Sequence, residues 1–141
     1  MGSPESWQCT GAAELIAASP EPFSMPGGPI TVVLLHGYTG APAELSLLAE
    51  SLHAQGFGVE APLLVGHGTC LEDLMPVQPQ QWLEQIDGVV DRLLEQGQRV
   101  VVAGLSLGSI LAIQAGMRRP NVEAVIAYSP PLVSGDPRAL I

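Results

Sequence analysis

The sequence predicts an α/β domain, with a mostly parallel sheet and helices on both of its faces. Three observations lead there. Short apolar, β-branched runs alternate with stretches of helical period between residues 30 and 128. One run, Arg99-Val100-Val101-Val102-Ala103, passes directly into Gly104-Leu105-Ser106-Leu107-Gly108 and then into the Pro-free, helix-forming residues 109–117. Another, Ile30-Thr31-Val32-Val33-Leu34-Leu35, runs straight into the glycine-punctuated turn His36-Gly37-Tyr38-Thr39-Gly40.

Taken in order, residues 1–28 are rich in Pro, Gly and Ser and read as an irregular leader, in which 21–25 add a short edge strand. Residues 30–35 form the first clear strand. Pro42 opens a helix over 43–55 with Leu45, Leu48 and Leu52 on one face, and Gly56 stops it. A short strand over 57–61 ends at Pro62, and a Gly66-His67-Gly68 loop follows. Residues 76–80 lead into a second helix, running to about residue 96, whose stripe of Trp82, Leu83, Ile86, Val90, Leu93 and Leu94 is core packing; Gly97 ends it. After the strand, the turn at Ser106 and a third helix, residues 121–128 give a fourth parallel strand, closed by Pro130-Pro131. The core then spans 29–131, and 132–141 begin a cap or tail.

The Gly-x-Ser-x-Gly pattern gains meaning from its setting. Between a strand and a helix it is a nucleophile elbow, in which a strained corner pushes the serine hydroxyl out over the carboxyl end of the sheet. A side chain at Gly104 or Gly108 would collide with the neighbouring strand or helix. The Ser106 hydroxyl then lies near the first free N–H groups of the helix that follows.

The order His36-Gly37-Tyr38-Thr39-Gly40, then Gly66-His67-Gly68-Thr69, then a helix bearing Trp82, then Gly104-Leu105-Ser106-Leu107-Gly108 resembles the bacterial carboxylesterase and monoacylglycerol lipase branch of the α/β-hydrolases, from about residue 21 to 131. The resemblance implies a serine carboxylic-ester hydrolase working through an acyl-serine intermediate on a small-molecule ester, with no cofactor and no metal. It carries over Ser106 as nucleophile, with the backbone N–H groups of Tyr38 and Leu107 as the oxyanion hole. It orders the four clear strands second, first, third, fourth, and leaves the last strand, with Val122, Val125 and Ile126, with an unpaired edge, so that self-association is expected.

In this fold the chain order is serine, acid, histidine, yet no histidine follows Ser106 in the remaining 35 residues. The expectation is therefore an incomplete α/β-hydrolase fold lacking its C-terminal strands, inactive or nearly so as a separate polypeptide. His36 is expected to brace the oxyanion turn by hydrogen bonds, His53 to sit at a helix end, and His67 to border the site mouth in a structural part. Asp136, within Ser134-Gly135-Asp136-Pro137, reads as a turn residue rather than the acid. A non-catalytic or decayed module, and a thioesterase or acyltransferase on the same serine, are the alternative readings.

Composition agrees with the fold: 47% apolar residues suit buried parallel strands. There is no lysine, and residues 1–91 hold eleven acidic groups and no Arg, which argues against nucleic acid or anionic lipid as partner. Cys9 and Cys70, 61 positions apart, suggest neither a disulfide framework nor a metal site. The apolar stretch 12–18 is short and contains Glu14, with no positive charge before it, so no signal peptide or membrane span is expected and a cytoplasmic location follows by default.

Overall fold

Alternation along one central strand organises the molecule. The structure, a computed structural model, describes residues 20–132; the expectations for 1–19, for Asp136 and for the rest of 133–141 lie outside them. Strand β2 (Ile30–Leu35) sends Val33 and Leu35 to one face of the sheet and Val32 and Leu34 to the other. The first pair packs with Val100, Val102, Trp82, Ile86, Val90 and Leu111. The second packs with Leu45, Ala49, Val59 and Ala103. Both faces are thus covered by helix, as the near-continuous apolar run of a buried parallel strand requires.

The sheet has five strands in the order β1-β3-β2-β4-β5. Strands β2, β3 (Gly58–Ala61), β4 (Arg99–Leu105) and β5 (Val122–Tyr128) pair parallel, and β1 (Phe23–Met25) adds antiparallel to β3. The order of the four parallel strands is the expected one. Helix α1 (Ser46–Ala54) lies on one face. Helices α3 (Pro79–Glu95) and α4 (Leu107–Arg118) lie on the other, tied together by Arg118 to Asp87 at 2.6 Å and by Arg119 to Asp91. Parallel pairing leaves the carboxyl ends of β2, β3 and β4 side by side, where sites form in open α/β sheets.

Several boundaries differ from the sequence reading. The helix expected over 43–55 begins as a 3-10 turn, Pro42–Leu45, because Glu44 N–H bonds three residues back to Ala41 O at 3.1 Å. The second helix agrees with its reading: it starts at Pro79, inside the expected lead-in, where Gln78 N–H meets the Gln81 side chain at 2.8 Å. A one-turn helix, α2 (Leu71–Leu74), was not expected; four residues are too few to show a period. Cys70 is disulfide-bonded, against the sequence expectation, since distance along the chain sets no limit on distance in the fold. No helix among the described residues is long and apolar enough to cross a membrane.

The two sheet edges are unlike. β1 is three residues long and sits between Pro22 and Pro26, which blunts it. β5 is seven residues long, and six of them are exposed, among them Val125, Ile126 and Tyr128. Its one charge, Glu123, sits at a register irregularity and is held by Arg99 Nε and Nη2 at 2.5 Å each, leaving residues 124–128 without charge, proline or bulge. The 141-residue chain is expected to self-associate at tens of micromolar in sedimentation velocity, and Ile126→Lys to shift it toward monomer. A monomeric parent chain contradicts this.

Candidate active site

Two glycines force the corner at Ser106. A Cβ built on Gly104 would overlap the Gly108 carbonyl, and one on Gly108 would overlap the Leu35 carbonyl. Only hydrogen atoms fit where α4 begins against the ends of β2 and β4. Ser106 alone turns the chain, at φ 54 and ψ −115, between the last residue of β4 and the first of α4. That φ is costly for a residue with a side chain. It is held by Ser106 N–H to Tyr128 O at 3.0 Å, and by Ser106 O, which accepts from Ser109 N–H at 3.0 Å and from the Ser109 hydroxyl at 2.5 Å. The sharp strand-to-helix corner expected from Gly104-Leu105-Ser106-Leu107-Gly108 is present. Tyr128 and Ser109 were not singled out in the sequence, because nothing in their identity marks a carbonyl or a buried hydroxyl as a brace.

Backbone strain gathers here. Among the described residues, the non-glycine residues with positive φ are Thr39, Ser106 and Ser129. They follow the carboxyl ends of β2, β4 and β5, three neighbouring strands. Such strain persists where surrounding structure over-determines it, which is common at functional sites.

The turn after β2 comes directly against the corner: a Cβ on Gly37 would lie 3.6 Å from the Ser106 Cβ. Gly40 N–H closes the turn on Gly37 O at 3.1 Å, which leaves the Tyr38 N–H outside the turn's own hydrogen bonding. Leu107 opens α4, so its N–H is one of the helix-end donors that lack an intrahelical acceptor. Ser106, the Tyr38 turn and the start of α4 are therefore brought into one place, with the positive end of a twelve-residue helix beneath them.

His36 braces this turn as expected. It is fully buried, its Nδ1–H donates to Gly37 O at 2.9 Å, and its Nε2 accepts from Leu64 N–H at 3.1 Å. The ring thus pins the turn after β2 to the loop after β3 in one tautomer. Burial pushes its pKa down to about 4, and nearby His67 adds to the shift. His53 is exposed near the end of α1, with Nε2 2.9 Å from Pro26 O.

His67 is 6% exposed, and its pKa is also lowered by burial. Its Nδ1 lies 3.2 Å from Val65 O, while Nε2 has no partner among the described residues. An unsatisfied buried ring nitrogen costs roughly 1–3 kcal/mol. The loop that delivers His67 is anchored from α3: Trp82 Nε1–H donates to Val65 O at 2.8 Å, and Gln85 accepts from Val65 N–H at 3.0 Å and donates to Leu63 O at 2.8 Å. Trp82 read as core alone, and Gln85 was not read at all; a polar residue on a mostly apolar face was the available signal.

The chain belongs to the alpha/beta hydrolase family, whose profile matches residues 32–141. A carboxylesterase of Bacillus subtilis (strain 168) is 31% identical over 115 residues, which are 81% of this chain and 46% of that protein. A thermostable monoacylglycerol lipase of Bacillus sp. (strain H-257) is 32% identical over 111 residues, 79% of this chain and 44% of the lipase. Among solved structures, one reported with two metagenome-derived lipolytic enzymes superposes with TM-score 0.77 at 28% identity, covering 85% of this chain and 49% of its own. A monoacylglycerol lipase of Paleococcus ferrophilus gives 0.64 at 27%, covering 81% and 45%. The chain spans about half the length of the curated relatives it matches.

Two outcomes follow from the geometry. Gly108→Ala should destabilise the fold by roughly 3 kcal/mol or prevent folding, as overpacking against backbone does; a thermal melt within a degree or two of the parent would contradict the close approach. The second concerns pH. His36 titrates near 4 when folded against an ordinary 6.5, so on acidification the unfolded chain takes up its proton first. Stability is full above about pH 6.5, declines as pH falls, and levels off below about 4. At about 1.4 kcal/mol per tenfold change in proton affinity, the loss is roughly 3 kcal/mol. Urea melts between pH 4.5 and 7, above most carboxylate titration, measure it; a flat midpoint across that range contradicts it.

Proposed function

We propose that this chain carries the nucleophile and oxyanion hole of a serine carboxylic-ester hydrolase, of carboxylesterase or monoacylglycerol lipase type. The observation that carries the reading is the Ser106 corner, at φ 54 with the Gly37–Gly40 turn against it. The names of the two Bacillus relatives supply the substrate class, a small-molecule carboxylic ester.

In this reading the Ser106 Oγ adds to the ester carbonyl carbon as its proton passes to a base. The carbonyl oxygen becomes an oxyanion between the Tyr38 and Leu107 N–H groups, each worth roughly 3 to 4 kcal/mol of barrier because it is rigid and already in place. The C–O bond to the alcohol then breaks as the base returns that proton to the departing oxygen, leaving an acyl-serine. Water gives a proton to the same base and adds to the acyl carbon, and the Ser106 oxygen leaves with that proton, releasing the acid and restoring the hydroxyl. His36 holds the turn and spends both ring nitrogens doing so, which leaves it no lone pair for the serine proton. No histidine follows Ser106 in the 141 residues, which span about half the length of the two Bacillus relatives; in this reading the acid and base lie outside them. A thioester is attacked by the same serine, and a thioesterase domain from the curacin biosynthetic pathway is among the similar structures, with TM-score 0.68 at 27% identity.

Without a base the serine is a weak nucleophile, and the oxyanion hole and binding alone leave about a thousand- to ten-thousand-fold over water. Purified chain is expected to hydrolyse a chromogenic short-chain ester no faster than that, yet to form a slow fluorophosphonate adduct at Ser106, located by peptide mass spectrometry and absent from Ser106→Ala and from unfolded chain. Ordinary esterase turnover would overturn the missing base. Labelling equal in the parent, Ser106→Ala and unfolded chain would overturn the site and favour a non-catalytic module.

A further inference from the structure

The loop after β3 does more than cross the top of the sheet. Gly66 and Gly68 both adopt positive φ, at 79 and 83, so the chain bends sharply on each side of His67. A Cβ at Gly68 would meet the Leu63 side chain at 2.9 Å, and one at Gly66 would press against the Val77 side chain and the Asp73 carbonyl. The bends and the anchors from Trp82 and Gln85 leave His67 little freedom. Its ring is set edge-on to two members of the turn after β2: 4.8 Å between centroids and 74° to His36, and 6.1 Å and 90° to Tyr38. Trp82 closes the other side at 5.9 Å.

Tyr38 needs such support. It is 51% exposed, it precedes Thr39 at φ 62, and His67 is the ring it contacts among the described residues. His36 fixes Gly37, one residue earlier, while no side-chain hydrogen bond among the described residues reaches Tyr38. An imidazole with an unpartnered Nε2 is a poor choice for filling space, since a phenyl ring of similar size would pack there without burying a bare nitrogen. What the imidazole adds is the Nδ1–H bond to Val65 O, the same carbonyl that Trp82 uses, and this bond sets the plane of the ring.

We propose that His67 is a positioning residue for the oxyanion turn: its ring, oriented through Val65 O, holds Tyr38 so that the Tyr38 amide keeps a fixed direction. The proposal rests on the reading of Tyr38 as an oxyanion donor, but its test does not depend on reactivity at Ser106.

Backbone 15N relaxation of the full 141-residue chain supplies that test. In the parent, the Tyr38 N–H should be as ordered as the sheet, with an order parameter of about 0.85. His67→Asn keeps a donor near the Nδ1 position and removes the ring; Tyr38 should then fall below about 0.6 while Val102 stays unchanged. His67→Phe keeps the ring and removes the donor; Tyr38 should stay ordered with its amide resonance displaced. A role in stability alone would lower the melting temperature without separating Tyr38 from Val102. The proposal is overturned if Tyr38 is already mobile in the parent, or if it stays ordered and unshifted in whichever variants fold. If Tyr38 loosens as described but Ser106 forms no adduct, the positioning stands and the hydrolase reading falls.

Discussion

The structure depends on one close approach. The first turn of α4 is pressed against the ends of β2 and β4 until Gly108 meets the Leu35 carbonyl and Gly104 meets Gly108. Once those backbones touch, the chain between strand and helix has one residue in which to reverse direction, and Ser106 takes the unfavourable φ. The local geometry follows from that contact: why Leu107 opens α4 directly after the reversal, and why the turn after β2 lies against Ser106. The core on both sides of β2 supplies the stability against which this strain is held.

Two separate hydrogen-bond systems support the corner. From β5, the Tyr128 carbonyl takes the Ser106 N–H. From the loop after β3, a chain runs from Leu64 through His36 to Gly37, while Val65 O gathers Trp82 and His67. The first fixes the serine and the second fixes the turn opposite it. Burial lowers the pKa of both histidines, so protonation of the unfolded chain draws stability from this system as pH falls below about 6.5.

Much of this was legible in the sequence, for reasons that differ by element. The parallel strands are continuous apolar runs bounded by glycine and proline, which leaves few other readings for residues 30–35 or 99–105. The corner was legible because steric exclusion at Gly104 and Gly108 is a property of the motif itself. The bracing was harder to see. His36 could be assigned a bracing part from its place in the turn, but its partner, the Leu64 amide, lies 28 residues away and carries no mark in the sequence. Gln85 and Ser109 act through backbone groups, Cys70 is disulfide-bonded, and α2 is a single turn. Contacts of that kind are set by tertiary packing and leave no local period. That no histidine follows Ser106 within the 141 residues was plain in the other direction, since such a residue is either in the sequence or not.

The most direct measurement is a crystal structure of the chain with a phosphonyl group bonded to the Ser106 oxygen. The account predicts the phosphonyl oxygen between the amides of residues 38 and 107, about 2.7 to 3.1 Å from each nitrogen, with residue 106 still at positive φ. A phosphonyl oxygen turned to solvent, with either amide aimed elsewhere or residue 106 relaxed into the helix, would contradict it.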